Sequence, residues 1–320
     1  MGYGDWLHWT SIIRDLYIEI NNHNNINDKI KSIETKIIKR KNNNYGVMNY
    51  CLRNNNLNFK IYFIDFTKNK QFTEIFLNNP HITNNKYYPN IIFFKIISQH
   101  YFINNRFIDY QHIIKTYSNN IYLQNIKLNP ELFFSLNEIQ KVNNFIKTLP
   151  NKPFIFIEPI NYKIGRSYPF YKFQNIVNKL YNKIQFVQIS PKIFGIKNSR
   201  KLENVLYFED IFTFRETVLF MKYSKLVLVN HGGLSIACGT INKKVIAIYN
   251  TMFNPIMTKL DIEDSIYISS NEHKECNKYH PDPNNIFYKE NPLRCIECDN
   301  LYLKHDENII ISKINNYLNK

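Results

Sequence analysis

The run Asn230-His231-Gly232-Gly233-Leu234-Ser235 holds the residue types best suited to gripping an anion. It follows an apolar stretch, Leu226-Val-Leu-Val229, and opens a segment that reads as a helix. Glycines let backbone N–H groups approach an oxyanion, and a helix start carries partial positive charge. Ser235 adds a hydroxyl donor. Only 8 Gly occur in 320 residues, so two adjacent ones are informative. The plain alternative is a strand-to-helix turn in which glycine serves a positive φ. Pattern alone does not separate the two.

Three further groups could carry chemistry. Gly2-Tyr3-Gly4-Asp5 sets a carboxylate at a helix start. There it can take a proton from an attacking hydroxyl, or simply cap the helix. Lys163-Ile-Gly-Arg166 places two cations in a loop beyond a strand. That suits a leaving diphosphate, and equally a solvated surface. Cys276-x3-His280 with Cys295-x2-Cys298 offers four ligands in two close pairs, a set that can hold a tetrahedral structural zinc. His305 is a spare ligand. The alternative is free thiols in a polar loop, with Cys295 and Cys298 able to form a labile disulfide. Cys51 and Cys238 read as small buried residues. The sequence has no Ser-His-Asp order, Walker loop, GxGxxG or D-x-D. Lack of D-x-D leaves charge neutralisation to cationic side chains and helix ends.

The elements around these groups alternate. Lys60–Asp65 and Asn90–Phe94 read as buried strands. Ser135-Leu-Asn-Glu138 reads as a capping box, opening a helix with Ile139, Val142, Phe145, Ile146 and Leu149 on one face. Pro150 and Pro153 stop it, and the domain boundary is placed there. Phe154–Ile157, Ile184–Ile189, Leu226–Val229 and Lys244–Tyr249 read as strands. Helices fall between them, one at Phe173 to Leu180 and one opened by the capping box Thr213-Phe-Arg-Glu216. A last helix runs from about Glu307 to Leu318, with Ile310, Ile314 and Tyr317 on one side. Strands separated by helices imply a parallel sheet covered on both faces. The fold class is therefore α/β, with two doubly wound lobes, residues 1–150 and 151–320, and a cleft between them. Ligands of such sheets bind beyond the carboxyl ends of the strands. The Asn-rich runs 21–27, 42–44 and 54–56 read as loops.

Composition narrows the classes. Apolar residues make up 44% of the chain, enough for real cores. No apolar run is long enough to cross a bilayer, and the start shows no secretory signal. Five Cys in this length are no disulfide framework, so a reducing cytoplasm is the simplest compartment. The net charge of +15 invites a nucleic-acid reading. The charge is mostly Lys scattered among Asn, Ile and Tyr, so a solvated surface is preferred to a nucleic-acid site. A basic cleft for an anionic donor, or attraction to an anionic membrane face, fits it equally well.

Taken in order, the motifs resemble those of the heptosyltransferase family, glycosyltransferase family nine. Gly4-Asp5-Trp6-Leu7-His8-Trp9-Thr10 with Ile12-Ile13-Arg14-Asp15-Leu16 is similar to the family's start. So are Asn78-Asn79-Pro80, Ile157-Glu158-Pro159 with Arg166-Ser167-Tyr168-Pro169-Phe170, and the glycine turn followed by Val245–Tyr249. The paired cysteines before a last helix also occur in relatives. The resemblance implies a GT-B fold of two Rossmann-like lobes, an N-terminal acceptor lobe and a C-terminal donor lobe. It implies an inverting transfer from a nucleoside-diphosphate sugar to a glycan or lipid-linked acceptor at the cytoplasmic side, with no catalytic cofactor. By carry-over Asp5 is the general base, Arg166 faces the phosphates, and Gly232, Gly233, Leu234 and Ser235 cradle the diphosphate; Lys163, Asn230 and His231 are read as further donor-binding residues. Three features depart from the family: no strand precedes Gly4-Asp5 in this sequence, so either the true start lies upstream or the first lobe lacks that strand; His231 stands where an Asp is common; and the nucleoside-binding acid has no counterpart. The second departure argues against assuming ADP-heptose. Rival readings are a nucleotide-sugar epimerase and a non-catalytic sugar-binding or assembly protein of the same fold. If the Cys/His set holds zinc, a chelator lowers the melting temperature; freshly purified protein free of zinc removes that assignment.

Overall fold

The computed structural model describes residues 3–38, 46–55, 58–64, 70–96, 112–123, 125–160, 168–191, 201–249, 255–268 and 296–319. The chain divides into two compact units, Met1–Ser135 and Leu136–Lys320. That division lies ahead of the Pro150 boundary expected from the sequence.

The first unit is organised by α1 (Tyr3–Asn21). Every residue from Trp6 to Leu16 is buried, polar ones included. Thr10, Arg14 and Asp15 are bonded to the segment near residue 130. Arg14 donates to Asp15 at 2.8 and 3.1 Å, to the Lys127 carbonyl at 2.8 Å and to the Asn129 carbonyl at 2.6 Å. Asp15 accepts the Lys127 N–H, and Thr10 accepts the Glu131 N–H. A buried charge is tolerable only when paired in this way. Beside α1 lie α2 (Ile26–Ile38), α3 (Lys70–Phe76) and α4 (Ile113–Asn120). Trp6 meets Phe72 edge-on at 5.2 Å, and Trp9 meets Phe94 at 5.8 Å.

The described sheet of this unit has strands β1 (Gly46–Leu52), β2 (Lys60–Phe63) and β3 (Asn90–Lys95), in the order β1-β3-β2. β2 runs parallel to β3 and β1 antiparallel to it. The expectation of a doubly wound parallel lobe is corrected here: among the described residues this sheet is mixed. Gly46–Leu52 gave no strand signal because its burial does not alternate cleanly, and its register shifts between Val47 and Asn49. Side-chain bonding holds its far end. Asn90 accepts the N–H groups of Arg53 and Asn54 and donates to the Asn54 carbonyl.

The second unit follows the expected pattern. Its strands are β4 (Phe154–Glu158), β5 (Gln185–Ser190), β6 (Leu206–Glu209), β7 (Leu226–Asn230), β8 (Val245–Tyr249) and β9 (Glu263–Tyr267). They form one sheet, all parallel, in the order β6-β5-β4-β7-β8-β9. β4, β7 and β8 are buried throughout, as apolar strands covered on both faces must be. Because β4 leads outward to β5 and β6, and β7 outward to β8 and β9, the winding reverses between β4 and β7.

Helices cover the sheet. They are α5 (Leu136–Ile146), α6 (Phe170–Leu180), α7 (Phe214–Met221), the single turn α8 (Gly233–Ala237), α9 (Ile296–Lys304) and α10 (Asn308–Leu318). One face carries Phe173, Ile176, Val177 and Leu180 of α6 with Tyr302 of α9 and Ile310 and Ile314 of α10. The buried Lys172 pins the last helix by pairing with Glu307 at 3.0 Å. On the other face α7 has the expected capping box: Thr213 accepts from the Glu216 N–H, and Glu216 from the Thr213 N–H.

α5 belongs to this second unit for a chemical reason. Glu138 takes a two-pronged bond from Arg215 at 2.6 and 3.0 Å. Lys141 pairs with Glu216 at 2.8 Å, and Phe145 meets Phe208, Phe212 and Phe220. Arg215 is only 1% exposed. Removing one partner of such a pair leaves the other charge buried alone. Arg215→Ala should therefore lower unfolding free energy by about 3–5 kcal/mol, read by urea titration; a loss below about 1 kcal/mol would show that α5 is held by its apolar face alone.

Candidate functional site

The run Asn230–Ser235 lies at the carboxyl edge of the second unit's sheet. β4 ends at Glu158-Pro159 and β7 at Asn230-His231, so the glycine turn sits at the point where the winding reverses. In open parallel sheets a crevice opens there, because the two connections leave towards opposite faces.

Asn230 is buried and does not face outward. Its carboxamide accepts the Tyr168 N–H at 2.8 Å and donates to the Pro159 carbonyl at 2.8 Å. It therefore ties three chain segments together behind the turn. His231 is 5% exposed, and its ring stacks on Tyr249 with centroids 4.1 Å apart and planes 15° from parallel. Its Nδ1 lies 3.4 Å from the Ser235 hydroxyl and its Nε2 3.4 Å from that of Thr258. The ring is thus wedged beneath the turn.

The turn itself is half-exposed at Gly232, Gly233 and Leu234. Gly232 has φ 166° and ψ −157°, an extended conformation open to any residue. Positive φ therefore does not explain the glycines, and the absence of a side chain does. Ser235 is fully buried. Its hydroxyl accepts the Gly232 N–H at 3.0 Å and donates to the Gly232 carbonyl at 2.9 Å. It closes the turn from within, in place of the outward hydroxyl expected from the sequence. Gly233 and Leu234 begin α8, where N–H groups have no acceptor inside the helix. These two N–H groups are what the turn offers to a ligand. α8 is five residues long, so local N–H groups matter more here than a helix dipole.

Sequence reasoning missed a polar chain buried along the same edge. Glu158 accepts the Ile160 N–H at 2.9 Å and the Ser190 hydroxyl at 2.8 Å. Ser190 in turn accepts from Gln188, which accepts the Leu202 N–H. Burial pushes the Glu158 carboxyl up to about 8, against the pull of its two hydrogen bonds. The one available signal was an acid ending the apolar run Phe-Ile-Phe-Ile. Below the turn, burial and the neighbouring Tyr249 phenol act oppositely on Glu263, and burial wins, raising it to about 7.

In the first unit Asp5 lies in the first turn of α1, half-buried. His8 follows one turn later, and its ring meets that of His112 edge-on at 6.1 Å. Burial, then the neighbouring His112, push the His8 imidazole far below its usual range, while Asp5 pulls the other way. His8 is a neutral group beside a carboxylate.

Lys163, Arg166, Cys276, His280 and Cys295 lie outside the described residues, and Cys298 lies on α9, of whose side chain there nothing is described. Among the described residues no group of three or more His, Cys, Asp or Glu could hold a metal ion. Cys238 is buried as expected, and Cys51 is half-buried. No described helix is long and apolar enough to cross a membrane.

An all-parallel sheet with a glycine turn at its reversal point defines an α/β protein. No family model matches the chain, and no curated protein matches it. Solved structures do. The glycosyl transferase family 9 protein from Veillonella parvula is 11% identical with a TM-score of 0.48, over 65% of this chain and 60% of that one. TibC, an iron-containing dodecameric glycosyltransferase from enterotoxigenic E. coli, is 9% identical with a TM-score of 0.48, over 65% and 53%. E. coli ADP-heptose lipopolysaccharide heptosyltransferase II is 14% identical with a TM-score of 0.41, over 59% and 53%. The match spans little more than half the length of these proteins.

The buried carboxyls set a pH dependence. Glu158 rises from 4.5 in the open chain to about 8 in the fold, so between those values only the folded state holds its proton. Its contribution is therefore most favourable at low pH and is lost as pH rises towards 8. Glu263 acts with the same sign up to about 7. The buried His8 acts oppositely, but only below its open-chain value of 6.5. Unfolding free energy should thus decline between pH 6.5 and about 8, and Glu158→Gln should flatten that decline. Urea titrations across this range check it; an unchanged slope in the variant would refute the assignment.

Proposed function

We propose that the chain is a glycosyltransferase of the two-lobed GT-B type, moving a sugar from a nucleoside-diphosphate sugar to a glycan or lipid-linked acceptor. The observation that carries the reading is the glycine turn. Gly232, Gly233 and Leu234 are half-exposed at the carboxyl edge, at the reversal point between β4 and β7. Their backbone is not strained into glycine geometry, so the missing side chains are best used by a close-lying ligand. The N–H groups of Gly233 and Leu234 suit phosphate oxygens. The ordered set of motifs that resembles glycosyltransferase family nine supports the same reading.

In this proposal the turn holds the diphosphate, and Asn230, His231 and Ser235 set its shape from below. Lys163 and Arg166, which follow β4 in the sequence, neutralise charge as the diphosphate leaves. Asp5 takes the proton from the acceptor hydroxyl as it attacks the anomeric carbon, so the anomeric configuration inverts. His8 supports that role by staying neutral, since a charged imidazole there would weaken the base. No catalytic metal is needed, because side-chain cations and backbone donors carry the charge. The place of action is the cytoplasmic side, where such donors are made.

Thermal denaturation against a panel of nucleoside diphosphates and nucleotide sugars tests the donor site. ADP-heptose belongs in the panel because TibC was solved in complex with it. A ligand at a hundred times its dissociation constant should stabilise by about 2.7 kcal/mol. Gly233→Val should lose that shift while melting at a similar temperature without ligand. A shift retained in the variant would rule out the turn as the diphosphate site. Asp5→Asn should keep the shift and lose transfer by about a hundredfold or more; unchanged transfer would remove Asp5 from the reaction.

A further inference from the structure

The opposite edge of the same sheet carries a feature that sugar transfer does not use. The segments leading into β5, β4, β7 and β8 are residues 181–184, 147–153, 222–225 and 242–244. They hold Lys147, Lys152, Lys183, Lys222, Lys225, Lys243 and Lys244, and no Asp or Glu. The four strands are direct neighbours in the sheet. Phe154 pairs with Gln185, Ile155 with Leu226, and Val227 with Val245. Lys152 and Lys183 therefore lie at one level, Lys225 and Lys244 two and three residues further along the strand direction, so the lysines spread over four adjacent strand starts, about 15 Å across at about 4.8 Å per strand. A bond of 2.7 Å from the Lys225 N–H to the Phe154 carbonyl fixes the middle of the group.

Three observations set this group apart from ordinary surface charge. First, it has no counter-charge. Lysine ion pairs elsewhere involve Lys36, Lys141, Lys172 and Lys313, and among the described residues none of the seven has one. Second, helix ends account for only part of it: Lys222 caps α7 and Lys147 follows α5 directly, whereas Lys152, Lys183, Lys225, Lys243 and Lys244 lie further along the chain. Third, the field is concentrated. Lys243, half-buried and donating to the Ser224 carbonyl, is lowered first by burial and further by the charges of Lys222 and Lys225. Tyr181 and Tyr223 flank these lysines, 44% and 42% exposed.

We propose that this amino edge of the second unit docks on the anionic surface of a lipid bilayer. Lysine is a compact point charge that suits a diffuse layer of headgroups, and none of the four segments contains the Arg fork that dominates recognition of individual nucleic-acid phosphates. Exposed tyrosines suit the boundary between headgroups and hydrocarbon. Docking by this edge leaves the carboxyl edge, with its glycine turn, pointing away from the lipid. The proposal does not depend on the donor reading.

Co-sedimentation of the full chain with phosphatidylcholine vesicles, with and without phosphatidylglycerol, tests it. Binding should require phosphatidylglycerol and weaken as salt rises. Each lysine near the surface contributes about a fivefold gain, so Lys183→Gln/Lys225→Gln/Lys244→Gln should bind about a hundredfold more weakly. These side chains are exposed, so the variant should keep the parent's melting temperature. Tyr181→Ser should weaken binding without changing its salt dependence. Equal binding by the triple variant overturns the proposal, as does no binding by the parent chain. Salt-sensitive binding to a mixed-sequence oligonucleotide without vesicle binding would overturn it in favour of a nucleic-acid surface.

Discussion

The buried carboxamide of Asn230 is the contact on which the second unit's functional edge depends. A parallel sheet that winds outward in both directions has a weak seam where the winding reverses. Backbone bonds between β4 and β7 cross it, and those stop at the strand ends. Asn230 continues the pairing one layer further, to Pro159 and to Tyr168. A buried amide is stable only if both its ends are satisfied, and here both are. The segment after β4 and the start of α6 are thereby held against the glycine turn.

The turn is rigid from beneath and open from above. Ser235 spends both its donor and its acceptor on Gly232. His231 spends its ring on Tyr249. Neither side chain is left to reach outward, so the surface of the turn is backbone. Such a surface reads charge and shape at close range but little else, which fits a common phosphate group better than a variable sugar. Glu158, buried at the end of β4, and Glu263, buried at the start of β9, are both raised by burial. Their cost in stability is borne by the apolar strands around them.

The first unit is built on a different principle. α1 is surrounded on all sides, so its few polar residues must find partners inside the unit, and Arg14 and Asp15 do so through the chain near residue 130. Asp5 immediately precedes this buried stretch. A rigid helix beneath a half-buried carboxylate is what a general base would need, whatever its acceptor.

Much of the second unit was legible in the sequence, because its strands are short apolar runs and its helices show one apolar face. The glycine turn was legible because glycine is scarce in this chain. The capping box at Thr213 was legible because it is a local hydrogen-bond pattern. What the sequence could not tell was set by partners distant along the chain. Glu138 has the local spacing of a cap, and its bond to Arg215, far away in sequence, could not be read from that spacing. Ser235 has the type of a ligand donor, yet closing of the turn turns it inward. β1 pairs antiparallel with β3, which no period in Gly46–Leu52 announces. The lysines are spread over four separate loops, and only strand order brings them to one edge. Periodicity and local bonding are properties of neighbouring residues, so the sequence determined the elements; the pairing of buried charges and the order of strands are long-range, so only the tertiary structure decided which side chains are buried in pairs and which stay exposed.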